Sequence, residues 1–221
     1  MYCLDSRSND SVSRTRRSYR LGKRQPAIEE RRRKIVAAAR ELLLEGGFYR
    51  MRMEDVAKRS GVTRATVFNQ FGSKLALLQS IAAEAGQRSR SQATFEAQKL
   101  PDAYEAFGRS LIEAYRFFAA ERMMFRQIIS LAAVDPEAKE LVAGFEQNRR
   151  QDMQKMADRF AKEGYLKAGW SRRSLADLLW IATSFETFDL LHSGRGLSAR
   201  AAARTVLAIA GAGLKIRYPK S

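Results

Sequence analysis

The 221 residues contain one cysteine, one histidine, four prolines and two tryptophans, and the 24 acids are far outnumbered by 40 bases. Each shortage closes off a class of function. Cys3 has no second cysteine to form an internal disulfide. Cys3 and His192 together provide neither the ligand spacing of a zinc site nor the relay of most hydrolases. No Gly-rich phosphate loop and no nucleophile elbow occurs, so we expect no catalytic residues, no metal and no cofactor. No apolar run approaches the roughly 20 residues that cross a bilayer, and the apolar stretch of a secretory signal is missing. The expected compartment is the cytoplasm, with no membrane partner.

Positive charge is what the chain has in excess. A net charge of +16 favours a polyanionic partner, nucleic acid first. With 45% hydrophobic residues there is enough apolar material for one or two cores. Apolar side chains recur at helical spacing and no stretch alternates as a strand does, which makes the fold all-α. Residues 1–26 are polar and rich in Ser and Arg, and they read as a basic flexible arm carrying Arg14, Arg16, Arg17, Arg20, Lys23 and Arg24. Such an arm suits tracking of phosphates or a minor groove, and equally a solvated tail. A helix is expected from Ala27, with Ile28, Ile35, Val36, Ala39, Leu42 and Leu43 on its apolar side and Gly46-Gly47 as its stop.

Met53 to Leu78 organises the rest. Two short helical patterns flank Ser60-Gly61-Val62-Thr63, a helix-turn-helix reading in which Gly61 permits the turn and Thr63 caps the second helix. At 3.6 residues per turn, Val67 and Phe71 share a core face. Arg64, Ala65, Phe68 and Asn69 share the opposite one. Gly72-Ser73-Lys74 ends this helix and opens another.

Asp55-Val56-Ala57, Ser60-Gly61-Val62-Thr63, Thr66, Phe68, Phe71, Lys74 and Leu77 or Leu78, preceded by Gly46-Gly47-Phe48, resemble the DNA-binding unit of the TetR/AcrR family of transcriptional regulators. The resemblance covers about a quarter of the chain. Two departures stand out. Met51-Arg52 replaces the hydroxyl pair that usually opens the second helix, and Phe68 replaces a frequent Tyr and loses its phenolic donor. The expected DNA-binding residues are Arg52, Thr63, Arg64, Ala65, Thr66, Phe68, Asn69 and Lys74. Arg64 suits guanine and Asn69 adenine, whereas Arg52, Thr63, Thr66 and Lys74 suit phosphates.

Residues 27–74 are thus expected to form the helix-turn-helix domain and residues 75–221 a helical effector-binding and dimerisation domain. Leu75 to Arg90 would couple the two. Further helices are expected at about 102–120, 123–134, 137–162, 171–192 and 199–217. The last two carry apolar residues on more than one side and a small-residue surface, suited to a four-helix homodimer interface, and the resemblance implies the same dimer. A small-molecule effector would be lined by Phe107, Tyr115, Phe118, Phe125, Trp180, Phe185 and Asp189, with Met124, Glu186 and His192 as further candidates. The functional expectation is a sequence-specific repressor that binds a palindromic operator in double-stranded DNA as a dimer and is released by that effector. The competing reading is a non-specific architectural nucleic-acid-binding protein, which would explain the charge without a sensor.

Overall fold

The computed structural model describes residues 15–89 and 96–215. Helix α1, Thr15–Arg50, begins twelve residues earlier than Ala27. It takes in the second half of the stretch expected to be a flexible arm. Arg, Lys and Leu in that segment are good helix formers, and extending an existing helix adds one hydrogen bond per residue without the cost of nucleation. Residues 1–14, with Cys3 and Arg14, lie outside the described residues.

Ile35, Val36, Ala39 and Leu43 form the buried stripe of α1. The helical conformation breaks at Gly47, where φ is 75° and ψ is 174°. That break turns Phe48 inward so that its N–H donates to Gln127 Oε1 at 3.3 Å. A Cβ at position 47 would sit 3.0 Å from the same oxygen. We expect Gly47→Ala to destabilise the protein by about 1 to 3 kcal/mol, through both the left-handed φ and the lost space. Thermal unfolding checks this, and an unchanged midpoint would show that the turn tolerates a side chain.

Helices α2 (Met53–Ser60), α3 (Arg64–Phe71) and α4 (Lys74–Ser89) follow. Thr63 caps α3 by accepting from Thr66 N–H at 3.1 Å, and Ser73 caps α4 by accepting from Ala76 N–H at 3.0 Å. Met51 is buried in the core, and Arg52 stands at the α2 N-cap without a capping bond. The body consists of α5 (Ala103–Ala120), α6 (Arg122–Ala132), α7 (Pro136–Lys162) and α8 (Arg172–Ala182). Then come α9 (Phe185–Asp189), prolonged by a π turn over Leu190–Gly194, and α10 (Ala199–Ala210). Asp102, Asp135, Ser171 and Ser198 cap α5, α7, α8 and α10. Among the described residues there is no strand, only a single antiparallel bridge between Leu166 and Leu214.

Two expected helices are corrected. The helix expected over 171–192 is divided at Thr183-Ser184. The cause is competition from hydroxyls for backbone partners. Thr183 Oγ1 donates to Leu179 C=O at 2.7 Å, Ser184 Oγ accepts from Thr187 N–H at 3.1 Å, and Thr187 Oγ1 donates to Ile181 C=O at 2.9 Å. The helix expected to reach 217 stops at Ala210. Its last described residues fold back on the loop after α7, with Lys215 N–H donating to Tyr165 C=O at 2.7 Å and Lys167 N–H to Gly213 C=O at 3.1 Å. Gly213 is required there, because a Cβ would lie 2.9 Å from the Trp170 ring.

Two apolar clusters hold the fold. One joins Ile35, Leu43, Val56, Val67, Phe71, Leu77, Leu78 and Ile81 of α1–α4 to Met124, Ile128 and Leu131 of α6. The other packs Phe107, Leu111 and Tyr115 of α5 against Phe160, Leu175, Leu179, Phe188 and Val206. Phe125 touches both. Helix α6 therefore belongs to the N-terminal core as much as to the body, which the spacing of its residues did not foretell.

Candidate nucleic-acid interface and ligand cavity

On α3, Val67 and Phe71 point into the core, and Arg64, Ala65, Phe68 and Asn69 are exposed. Phe68 keeps 58% of its surface open, a large apolar side chain displayed on a short polar helix. Arg64 Nε lies 2.7 Å from Glu54 on α2, so its guanidinium is aimed along the helix pair. Arg52 makes a two-pronged contact with Asp55 at 2.9 and 3.1 Å. That bond holds the Asp55 carboxyl below its usual range and raises the Arg52 guanidinium. Thr63 and Thr66 share a hydroxyl bond at 2.9 Å. Lys74 Nζ sits 4.3 Å above the Phe48 ring and donates to Tyr49 C=O at 3.4 Å. Partial burial lowers its ammonium pKa. All eight sequence candidates thus lie on α3, at its cap or at the starts of α2 and α4.

Tyr49 escaped the sequence reading. It is 71% exposed, and its backbone carbonyl accepts from Lys74 at the start of α4. The signal available was its place directly after Phe48, where a core residue at one position leaves the next one outward.

The α1 basic cluster divides in the structure. Arg32 donates to Ser80 Oγ at 2.9 Å and lies 4.6 Å over the Phe71 ring, tying α1 to α4. Arg33 and Lys34 pair with Glu30 at 2.6 and 3.9 Å.

In the body, a cavity of about 380 Å³ opens between α4, α5, α6, α7 and α9. Phe118, Phe125, Phe185 and Met124 line it together with Phe117, Ile128, Ile129, Val142, Phe145, Glu146, Arg149, Asp152 and Glu186. Phe107 lines an adjoining cavity of about 420 Å³ that shares Phe118, Arg149 and Asp152. Tyr115 is fully buried beside them, its hydroxyl donating to Ala182 C=O at 3.0 Å and its pKa pushed up by burial. Trp180 lies outside the cavity wall and donates from Nε1 to Glu146 at 2.9 Å. His192 stacks on Phe188 at 5.0 Å and its Nδ1 lies 2.7 Å from Leu197 C=O.

Asp189 faces another opening and binds Arg122 at 2.7 Å, Arg126 at 2.7 Å and Ser193 at 2.7 Å. Burial works to raise its carboxyl, but the bonds from Arg122, Arg126 and Ser193 outweigh that and bring it to about 2. A depressed folded pKa contributes stability above the unfolded value and loses it as pH falls towards the folded one. We expect Asp189→Asn to cost about 1 to 2 kcal/mol at neutral pH, the half-exposed Arg126 side being screened by water. The gap between variant and parent should narrow as pH falls from about 5 towards 2. Denaturation at several pH values checks this; a gap that is constant with pH would mean that the carboxylate charge contributes nothing.

Among the described residues no group of three or more His, Cys, Asp and Glu is arranged to hold a metal, and no helix is long and apolar enough to cross a membrane.

Residues 35–81, which run from Ile35 within α1 through its kink, the α2–α3 pair and the first half of α4, match the model of the bacterial regulatory proteins of the tetR family. This is a tetR-family helix-turn-helix unit. The tetR-type assignment read from Asp55 to Leu78 stands. The chain is 32% identical over 99 residues to the HTH-type transcriptional regulator AlkX of Mycobacterium tuberculosis, a match covering 44% of each protein. Less than half the length of that curated relative is therefore spanned. Among solved structures, the fatty acid degradation regulator FadR from Bacillus halodurans superposes with a TM-score of 0.69 at 17% identity, covering 85% of this chain and 97% of that one. A transcriptional regulator from Saccharomonospora viridis in complex with choline gives 0.68 at 19% identity, covering 86% and 100%. At such identities the likeness extends the tetR fold through the body and speaks only of fold.

Proposed function

We propose that this protein is a regulator of the tetR family, a sequence-specific DNA-binding transcriptional repressor that grips a palindromic operator as a homodimer and leaves it when a small molecule fills the body. The observation that carries this reading is the display of Arg64, Ala65, Phe68 and Asn69 on α3, above a core that fixes the helix from behind through Val67 and Phe71. An exposed helix with an Arg and an Asn is equipped to read base edges in a major groove. In this reading Arg52, Thr63, Thr66 and Lys74 around it contact phosphates.

In this reading residues 27–74 bind DNA and residues 75–221 sense and dimerise. Release requires a ligand that favours a body incompatible with operator spacing. Helix α4 is one route, since Ala82 and Gly86 line the cavity. Helix α6 is a second. It lines the cavity with Phe125 and Ile128 and grips α1 through Gln127. Glu121, just before α6, binds Arg40 of α1 at 2.8 Å and is itself buried.

Selection from a random duplex library at near-physiological salt tests the proposal. A palindrome with half-sites spaced by about one helical turn, 34 to 36 Å, or a multiple of it supports a dimeric reader. Salt-sensitive capture without any motif would instead favour an architectural nucleic-acid binder.

A further inference from the structure

The cavity between α4, α5, α6, α7 and α9 has an uneven balance of charge and an aromatic wall. Phe125 stacks on Phe185 with centroids 4.9 Å apart, and Phe118 stands edge-on to both, at 5.0 and 5.5 Å. Among the described residues, Arg149 is the only cation in the lining, against Glu146, Asp152 and Glu186. Its guanidinium is already engaged. Nε and Nη2 bind Glu146, and Nη1 binds the Trp180 carbonyl and, at 3.2 Å, Thr183 Oγ1. Arg149 and Glu146 therefore neutralise one another and leave two carboxylates. Asp152 accepts from Lys155 at 3.0 Å, a pair whose side chains are both well exposed to water and which therefore screens little. Glu186 has no ion-pair partner among the described residues and opens the first turn of α9. An acid-lined aromatic cavity in a chain of net charge +16 is not a by-product of composition.

We propose that this cavity binds an organic cation with an apolar, aromatic body: an ammonium or other positively charged nitrogen held by the faces of the Phe rings and by the carboxylates of Glu186 and Asp152. Ring faces carry negative quadrupole density and attract desolvated cations, and carboxylates at the mouth offset the charge that enters. The cavity of about 380 Å³ is within the range that takes a small organic molecule, whereas Lys155 and Arg159 in the lining of the adjoining one make that space unsuited to the cationic end. An anion would leave both carboxylates facing like charge and would have to displace Glu146 from Arg149. A neutral lipid would leave the carboxylates unused. The proposal rests on reading the body as a sensor and deepens it by naming the chemical class sensed.

The test is calorimetric titration of the full chain with three matched probes. They are phenylbutyl-trimethylammonium, the neutral molecule with a quaternary carbon in place of its nitrogen, and a phenylalkyl carboxylate of the same length. The ammonium is expected to bind at least about tenfold more tightly than its carbon isostere. In Glu186→Gln/Asp152→Asn that advantage should shrink to less than about threefold, with the isostere unaffected. Both positions lie at the cavity mouth, so folding is preserved and thermal unfolding confirms it. Equal affinity for cation and isostere, tightest binding of the carboxylate, or no binding of any probe at millimolar concentration overturns the assignment. Operator selection on the same preparation keeps the two proposals apart. An operator without cation preference leaves the regulator reading intact and removes this one, whereas cation preference without an operator does the reverse.

Discussion

Arg64→Ala/Asn69→Ala protein should lose its preference for the selected operator while still binding DNA in a salt-sensitive way. Each bidentate base contact contributes about 1 to 3 kcal/mol of discrimination, so the two together are expected to lower the specific-to-non-specific ratio by at least about thirtyfold per half-site. A dimer would lose this at both half-sites. Neither side chain is buried, and Arg64 gives up only an exposed pair with Glu54, so the thermal midpoint should hardly move. Anisotropy titrations of the selected duplex and a scrambled one, at one salt concentration, measure the ratio. Arg52→Ala is the contrasting variant, because loss of a phosphate contact should weaken both duplexes alike and flatten the salt slope by about one. If the double variant keeps its preference, α3 is not the reading element.

The second large effect concerns dimerisation. Ile181 on α8 is 61% exposed, Leu190 in the π turn 71% and Ile209 on α10 45%. These are large apolar side chains left open together on the last helices, and they are what an isologous interface would cover. Ile181→Glu/Leu190→Glu is expected to convert the protein to monomers and to reduce operator affinity by more than about a hundredfold, since the two readers then bind independently. Sedimentation velocity reports the oligomeric state and anisotropy the affinity. A dimer that survives both glutamates would place the interface elsewhere, and a parent protein that is already monomeric would overturn the homodimer. Because both positions face solvent in the single chain, a collapse of its fold is not expected.

The legible parts of this molecule are those set by local chemistry. The outward face of α3 follows from eight residues and a 3.6 period, and the caps at Thr63, Ser73, Asp102, Asp135, Ser171 and Ser198 follow from a hydroxyl or carboxylate ahead of an apolar pattern. The start of α1 was misjudged because a charged, apolar-poor segment carries no periodicity from which to read a helix. The division at Thr183-Ser184 was also missed. The helical spacing of Leu179, Ile181 and Phe185 runs straight through it, and only the bonds of Thr183, Ser184 and Thr187 to the backbone reveal the break.

Asp189 shows the limit most plainly. On a one-dimensional chain it is an acid on an apolar helix, a fair candidate for touching a ligand. The fold brings Arg122 and Arg126, more than sixty residues away in sequence, to within 2.7 Å of it. Glu186, three residues earlier, has no such partner among the described residues and lines the cavity instead. Two acids of the same kind on one short helix thus differ in what surrounds them.

From its residues alone this chain was determined to be all-helical, basic, and built around a turn that leaves Arg64 and Asn69 facing outward, because periodicity and capping act within a few residues. Tertiary structure alone decided that α6 completes the N-terminal core, that Arg122 and Arg126 hold Asp189, and that five phenylalanines from four helices surround one cavity. Those outcomes depend on which faces meet across long stretches of chain, and burial and charge pairing are properties of that meeting rather than of any segment.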